Sequence, residues 1–186
     1  MTFVKMLRGL LPWILFSMAR GRIPMAWLVG AWLALLAYLI YGNFKELRAG
    51  NAMALTNVAL FIATFINGRF ILWPWGAAHA GTVSYCTLGT ISAAGLAVGR
   101  PFTVTYARAT VPQEKWNHPL FLRINFVVTC VWTATFLFNA ALTYCLVLPH
   151  AWFSRLPTLA VVFGAMTFSH RYPETLRSRA RNRVEA

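Results

Sequence analysis

The stretch Ile124-Asn-Phe-Val-Val-Thr-Cys-Val-Trp-Thr-Ala-Thr-Phe-Leu-Phe-Asn-Ala-Ala-Leu-Thr-Tyr-Cys-Leu-Val-Leu148 decides the fold. It runs 25 residues without a charge. At a rise of ~1.5 Å per residue it makes a helix of about 37 Å, enough to cross a hydrocarbon core of about 30 Å. Five further apolar segments surround it: about Val4 to Ala19, Met25 to Tyr41, Ala52 to Ile66, about His79 to Val98, and the short Pro157 to Phe168. The first reads as a retained helix, because Arg20 and Arg22 spoil a small-residue cleavage site. It carries Pro12 and is short, so it either crosses a thinned bilayer or dips and returns.

Composition agrees. Of 186 residues, 59% are hydrophobic, 15% aromatic and only 11% charged, with mean hydropathy +0.58. Soluble domains run about 45–50% apolar and about 25% charged, so this chain has too few charges to coat a wetted surface. The expected fold is an all-α integral membrane protein, a polytopic bundle of five or six transmembrane helices with a short or re-entrant first helix. Residues 1–170 form a single transmembrane domain with a cytoplasmic loop at 100–123, and 171–186 form a basic cytoplasmic tail.

Seventeen Lys and Arg face four acids, Glu46, Glu114, Glu174 and Glu185, for a net charge of +13. The cations fall between apolar segments rather than in a separate domain, which points to anionic lipid headgroups and not to nucleic acid. If six segments cross, 13 cations lie on one side and four on the other; if the first dips, the split is 11 to six. Either way the loop at 100–123 and the tail lie in the cytoplasm, and the protein is expected to cross its membrane several times.

Sites of chemistry are sparse. No Glu, Lys or Arg interrupts a span, which weighs against a proton-coupled carrier. His79 and His150 at one edge, and His118 and His170 at the other, sit where solvated histidines belong rather than inside a haem bundle. Cys86, Cys130 and Cys145 lack metal or disulfide spacing and read as small packing residues. No nucleophile elbow, phosphate loop or zinc-protease motif occurs, so neither catalytic residues nor a cofactor or metal site is expected.

Uncharged polar residues are more informative. Asn125, Thr129 and Thr133 recur every four residues and form one stripe, with Asn139 and Thr143 repeating the step. Such a stripe either bonds to neighbouring helices or lines a polar path. Gly89 with Ala93, and Gly95 with Gly99, clear one flank of their helix for close approach by another, within the chain or in a homo-oligomer. The loop supplies Arg100, Pro101, Lys115, Trp116 and Arg123, an interfacial anchor or a docking surface for partner membrane proteins.

Several of these features occur together in a known order: Leu10-Leu11-Pro12-Trp13-Ile14-Leu15-Phe16, then Gly99-Arg100-Pro101, Val111-Pro112, Trp116, Arg123-Ile124-Asn125, Trp132 and Phe136-Leu137. In this the chain resembles the intracellular septation protein A family of bacterial inner-membrane proteins. The Trp-Pro-Trp stretch at 73–75 and the Arg-rich tail depart from that pattern. The resemblance implies a non-enzymatic interaction or scaffold component in cell-envelope maintenance or septation, with no catalytic residues to carry over. The alternatives are a small-solute channel or transporter using the stripe, and a haem-binding subunit of a membrane complex.

Overall fold

A computed structural model describes residues 11–13, 15, 24–70, 72–146 and 156–185. Most of the first apolar segment, the ends at Val147 and Leu148, His150, Arg20, Arg22 and Arg155 lie outside these. Among the described residues every regular element is helical: α1 (Met25–Gly42), α2 (Phe44–Arg48), α3 (Ala52–Phe70), α4 (Pro74–Ala78), α5 (Ala80–Ala97), α6 (Thr103–Arg108), α7 (Pro119–Cys145) and α8 (Leu156–Glu185), with a single 3₁₀ turn at Gln113–Lys115. Two of them, α3 and α7, are long and apolar enough to cross a membrane.

The helix ends follow from local chemistry. Both α2 and α5 finish in the same left-handed glycine stop, Gly50 at φ 67° and Gly99 at φ 70°. After α2, Asn51 N–H reaches Glu46 O at 2.9 Å and Gly50 N–H reaches Leu47 O at 3.0 Å. After α5, Arg100 N–H reaches Gly95 O at 2.7 Å and Gly99 N–H reaches Leu96 O at 3.0 Å. This paired 6→1 and 5→2 pattern satisfies carbonyls that a helix end would otherwise strand. Asn51 then starts α3 by accepting from Met53 N–H at 2.9 Å and Ala54 N–H at 3.1 Å. Pro119 occupies the first turn of α7, where its missing N–H costs nothing.

Helices α5, α7 and α8 alternate in direction. Thr82 bonds Thr143 and Ser92 bonds Thr133, so partners step ten residues forward on α5 and ten back on α7. Trp132 bonds Ser169 and Asn139 bonds Thr158, which sets α8 antiparallel to α7. Helix α7 is therefore central. One apolar cluster joins it to α3 and α8 through Met53, Ile124, Trp132, Phe136, Val162 and Met166. A second ties α1 to α3 through Leu28, Leu39 and Phe61, with the Trp32 ring stacked on Phe65 at 4.1 Å. Trp13 joins this cluster, edge-on to Phe61 and donating to Asn57 Oδ1 at 2.8 Å.

Polar side chains share the interior with the two apolar clusters, while many large apolar groups lie on the outside. Asn125, Thr129, Thr133, Thr135, Asn139, Thr158 and Ser169 are buried, while Leu33, Leu122, Phe126, Leu137, Phe138 and Phe163 face outward. Phe138 is 57% exposed whereas its neighbour Asn139 is 0% exposed. Cys86 and Cys145 also face outward rather than packing inside, correcting the sequence expectation for these two.

Charge separates by end. Lys45, Arg48, Arg100, Arg108, Lys115, Arg123 and Arg171 sit on elements gathered at one end of the bundle. Near the other end, the cation among the described residues is Arg69. The short sixth segment and the separate tail expected from sequence are one continuous helix of 30 residues, with Pro173 inside it.

Candidate functional site

The predicted stripe is present, and its hydroxyls are engaged in hydrogen bonds. Asn125, Thr129 and Thr133 are all buried on the face of α7 that meets α5 and α6. Thr133 donates to Thr129 O at 2.9 Å, so its single proton is committed and Ser92, 2.6 Å away, must be the donor in their shared bond. By the same count Thr143 gives its proton to Asn139 O at 2.7 Å, leaving Thr82 to donate across 3.1 Å. Thr103 donates to Asn125 O at 2.9 Å and receives from Thr129 Oγ1 at 2.8 Å. These hydroxyls hold helices together. On the opposite face Trp132 Nε1 donates to Ser169 Oγ at 3.0 Å, and Ser169 passes its own proton to Ala165 O at 2.7 Å. Deeper along α7, Asn139 Nδ2 reaches Thr158 O at 3.3 Å; its Oδ1 lacks a partner in bonding geometry, although the Tyr85 hydroxyl approaches that residue.

The four small residues expected to mediate packing divide. A Cβ on Gly89 would lie 2.8 Å from Leu137 Cδ2, so α5 and α7 do approach closely there. A Cβ on Gly95 would meet Arg100 O at 3.0 Å, within its own turn, and one on Gly99 would meet nothing within 4 Å. Gly95 and Gly99 form the helix stop described above and make no close approach to another described helix of this chain. Gly81 makes the other close approach, its Cβ position lying 3.4 Å from Thr143 Cγ2. Ala93 is half-buried beside Ser92.

The region 100–123 is more ordered than a connector. Trp116, expected as an anchor or docking residue, is tied into its own loop: Nε1 donates to Val111 O at 2.9 Å and the Arg108 guanidinium carbon lies 4.9 Å from the ring centroid. Arg100, Lys115 and Arg123 are exposed, and Pro101 is half-buried. Tyr106 on α6 has its phenol pushed well above the ordinary value, first by burial and then by the Glu46 carboxylate.

Between this region, α7 and α8 lies a half-open cavity of about 350 Å³. Thr103 and Ala107 of α6, Lys115 and His118 of the loop, Phe121, Ile124, Asn125 and Val128 of α7, and Ser169 and Pro173 of α8 line it. His118 Nδ1 accepts from Leu120 N–H at 3.1 Å, leaving Nε2–H as the ring's donor. The cavity thus gathers Lys115 and Asn125 from the sequence-predicted residues and leaves Arg100, Pro101 and Arg123 outside its wall. Thr103, Ser169 and Pro173 belong to no motif legible in the sequence; the one available signal is the buried-type residue pattern of Thr103-Val104-Thr105-Tyr106-Ala107 between two loops.

At the opposite end His79 stacks on Trp75, centroids 4.5 Å apart, and Nδ1 pairs with Trp75 O at 3.0 Å, with Tyr144 5.7 Å away. Among the described residues no group of three or more His, Cys, Asp or Glu converges to hold a metal ion. The chain matches no protein-family model, no curated protein and no solved structure.

Proposed function

We propose that this is a non-enzymatic, multi-pass protein of a bacterial inner membrane, spanning five or six times with its basic end and C-terminus in the cytoplasm. It acts as an interaction or scaffold component of envelope maintenance or septation. The observation that carries the reading is the combination of many large apolar groups on the outside with amides and hydroxyls that bond to one another inside. Water would oppose that arrangement and hydrocarbon favours it, since buried polar groups find partners and outward Phe and Leu side chains meet lipid. The clustering of cations at one end supports the orientation, each worth about 1 kcal/mol near an anionic leaflet. The interior hydroxyls are spent on helix contacts, and the exposed Arg100, Lys115 and Arg123 are among the groups offered to a partner.

Two experiments test this reading. With Cys86, Cys130 and Cys145 replaced, a single cysteine at Lys115 should react with an impermeant maleimide only in inverted vesicles, and one at Arg69 only in intact spheroplasts. A photo-crosslinker at Lys115 or Arg123 should then capture discrete envelope proteins. Labelling of both positions from the same side would reject the topology, and adducts to lipid alone would reject the scaffold role.

A further inference from the structure

The cavity at the basic end has a polarity that specifies a ligand. Asn125 is only 5% exposed, yet among the described residues nothing donates to its Oδ1. The orientation of the amide is fixed, because Nδ2 must be the atom that donates to Phe121 O at 2.8 Å. Oδ1 is therefore an unfilled acceptor on a residue that lines the cavity. The mouth carries the opposite character, with the exposed Lys115 ammonium and the His118 ring. Phe121, Ile124 and Val128 give an apolar floor, and the lining includes no carboxylate.

We propose that this cavity binds a phosphoester headgroup tipped with an N–H or O–H donor, the donor on Asn125 Oδ1 and the phosphate beside Lys115 and His118. A volume of about 350 Å³ holds such a headgroup and the start of an alkyl chain. The ligand reaches the site either as a phospholipid of the adjoining leaflet or as a free phosphoester. The lipid source rests on the membrane reading above; the free-ester source does not.

Native mass spectrometry of the delipidated full chain in detergent provides the test, with phosphatidylethanolamine, phosphatidylglycerol and phosphatidylcholine added singly. The first two carry donors; the third carries the same phosphate with none. A single-copy adduct should favour the first two by about tenfold, the size expected for one charge-assisted or well-buried hydrogen bond. Asn125→Leu should abolish that preference, and Lys115→Gln should weaken all three lipids together. Equal retention of phosphatidylcholine, or a preference that survives Asn125→Leu in a variant melting like the parent, overturns the proposal. Should Asn125→Leu not fold, the exposed Lys115→Gln decides: unchanged binding of every lipid overturns it. Deacylated glycerophosphoethanolamine is the second arm. If it displaces bound lipid, or binds where lipids do not, the ligand is the free ester; if it does neither while lipid selectivity persists, the ligand is the lipid.

Discussion

The Ser92–Thr133 contact offers the sharpest test of what holds α5 to α7. Ser92 is 1% exposed and donates to Thr133 Oγ1 across 2.6 Å. Ser92→Ala removes the donor but leaves Thr133 still bonded to Thr129 O, so the loss is one net hydrogen bond, about 1 kcal/mol, partly offset by alanine's helix propensity. Thr133→Val strands the Ser92 proton in a buried place, which costs about 1–3 kcal/mol unless it turns back to a carbonyl of its own helix. The double variant replaces both partners with apolar groups of similar shape, and should cost little more than Thr133→Val alone. The expected coupling is therefore about 0.6–1.7 kcal/mol, the range of interhelical bonds measured in lipid. Reversible unfolding in mixed micelles or bicelles, with the four proteins compared under identical conditions, gives the cycle directly. Additive single effects, with coupling under about 0.2 kcal/mol, would show that the hydroxyl stripe does not stabilise the helix pair and would return it to candidacy as a polar path.

Three further outcomes follow from the geometry. Gly99→Ala places a Cβ in open space at φ 70°, so its cost is backbone strain alone, about 1 kcal/mol or more by thermal melting; no loss would deny the left-handed stop. Asn51→Ala removes both acceptor contacts at the start of α3 and should cost about 1 kcal/mol, with Asn51→Asp restoring most of it in the same assay. Tyr106 has a raised phenol pKa in the folded chain, so the unfolded chain ionises first: the stability it adds is complete below about pH 10 and is lost as pH rises beyond that. Melting temperatures compared across that range should fall less steeply in Tyr106→Phe than in the parent, and identical slopes would refute the burial of this phenol.

The all-helical character was legible because Ile124 to Leu148 leaves no other reading for so long an uncharged run. The face shared by Asn125, Thr129 and Thr133 was legible too, since a four-residue step is enough to align side chains on a helix. The partner of that face was not, because Ser92 and Thr103 reach it from 41 and 26 residues away in the chain. The helix stop at Gly95 and Gly99 was not legible for a physical reason: glycine spaced by four serves equally to admit a neighbouring helix and to end its own, and only the following Arg100-Pro101 hints at the second use. The basic tail read as a separate solvated stretch, yet Arg, Ala, Leu and Glu are strong helix formers and carry α8 through Pro173. The cavity depends on α6, α7 and α8 meeting at one end, an arrangement no local pattern encodes.

The matched ten-residue steps of Thr82 to Ser92 and Thr133 to Thr143 bear on how this gene could tolerate change in length. A codon added between either pair would rotate everything beyond it by about 100° and pull one bridge open whenever the other is kept. Inserted between Pro112 and His118, the same codon would leave both bridges in step. A library of single-residue insertions should accordingly fall into two sharply separated classes, with survivors in the surface turn and losses wherever two hydroxyls must keep time with one another.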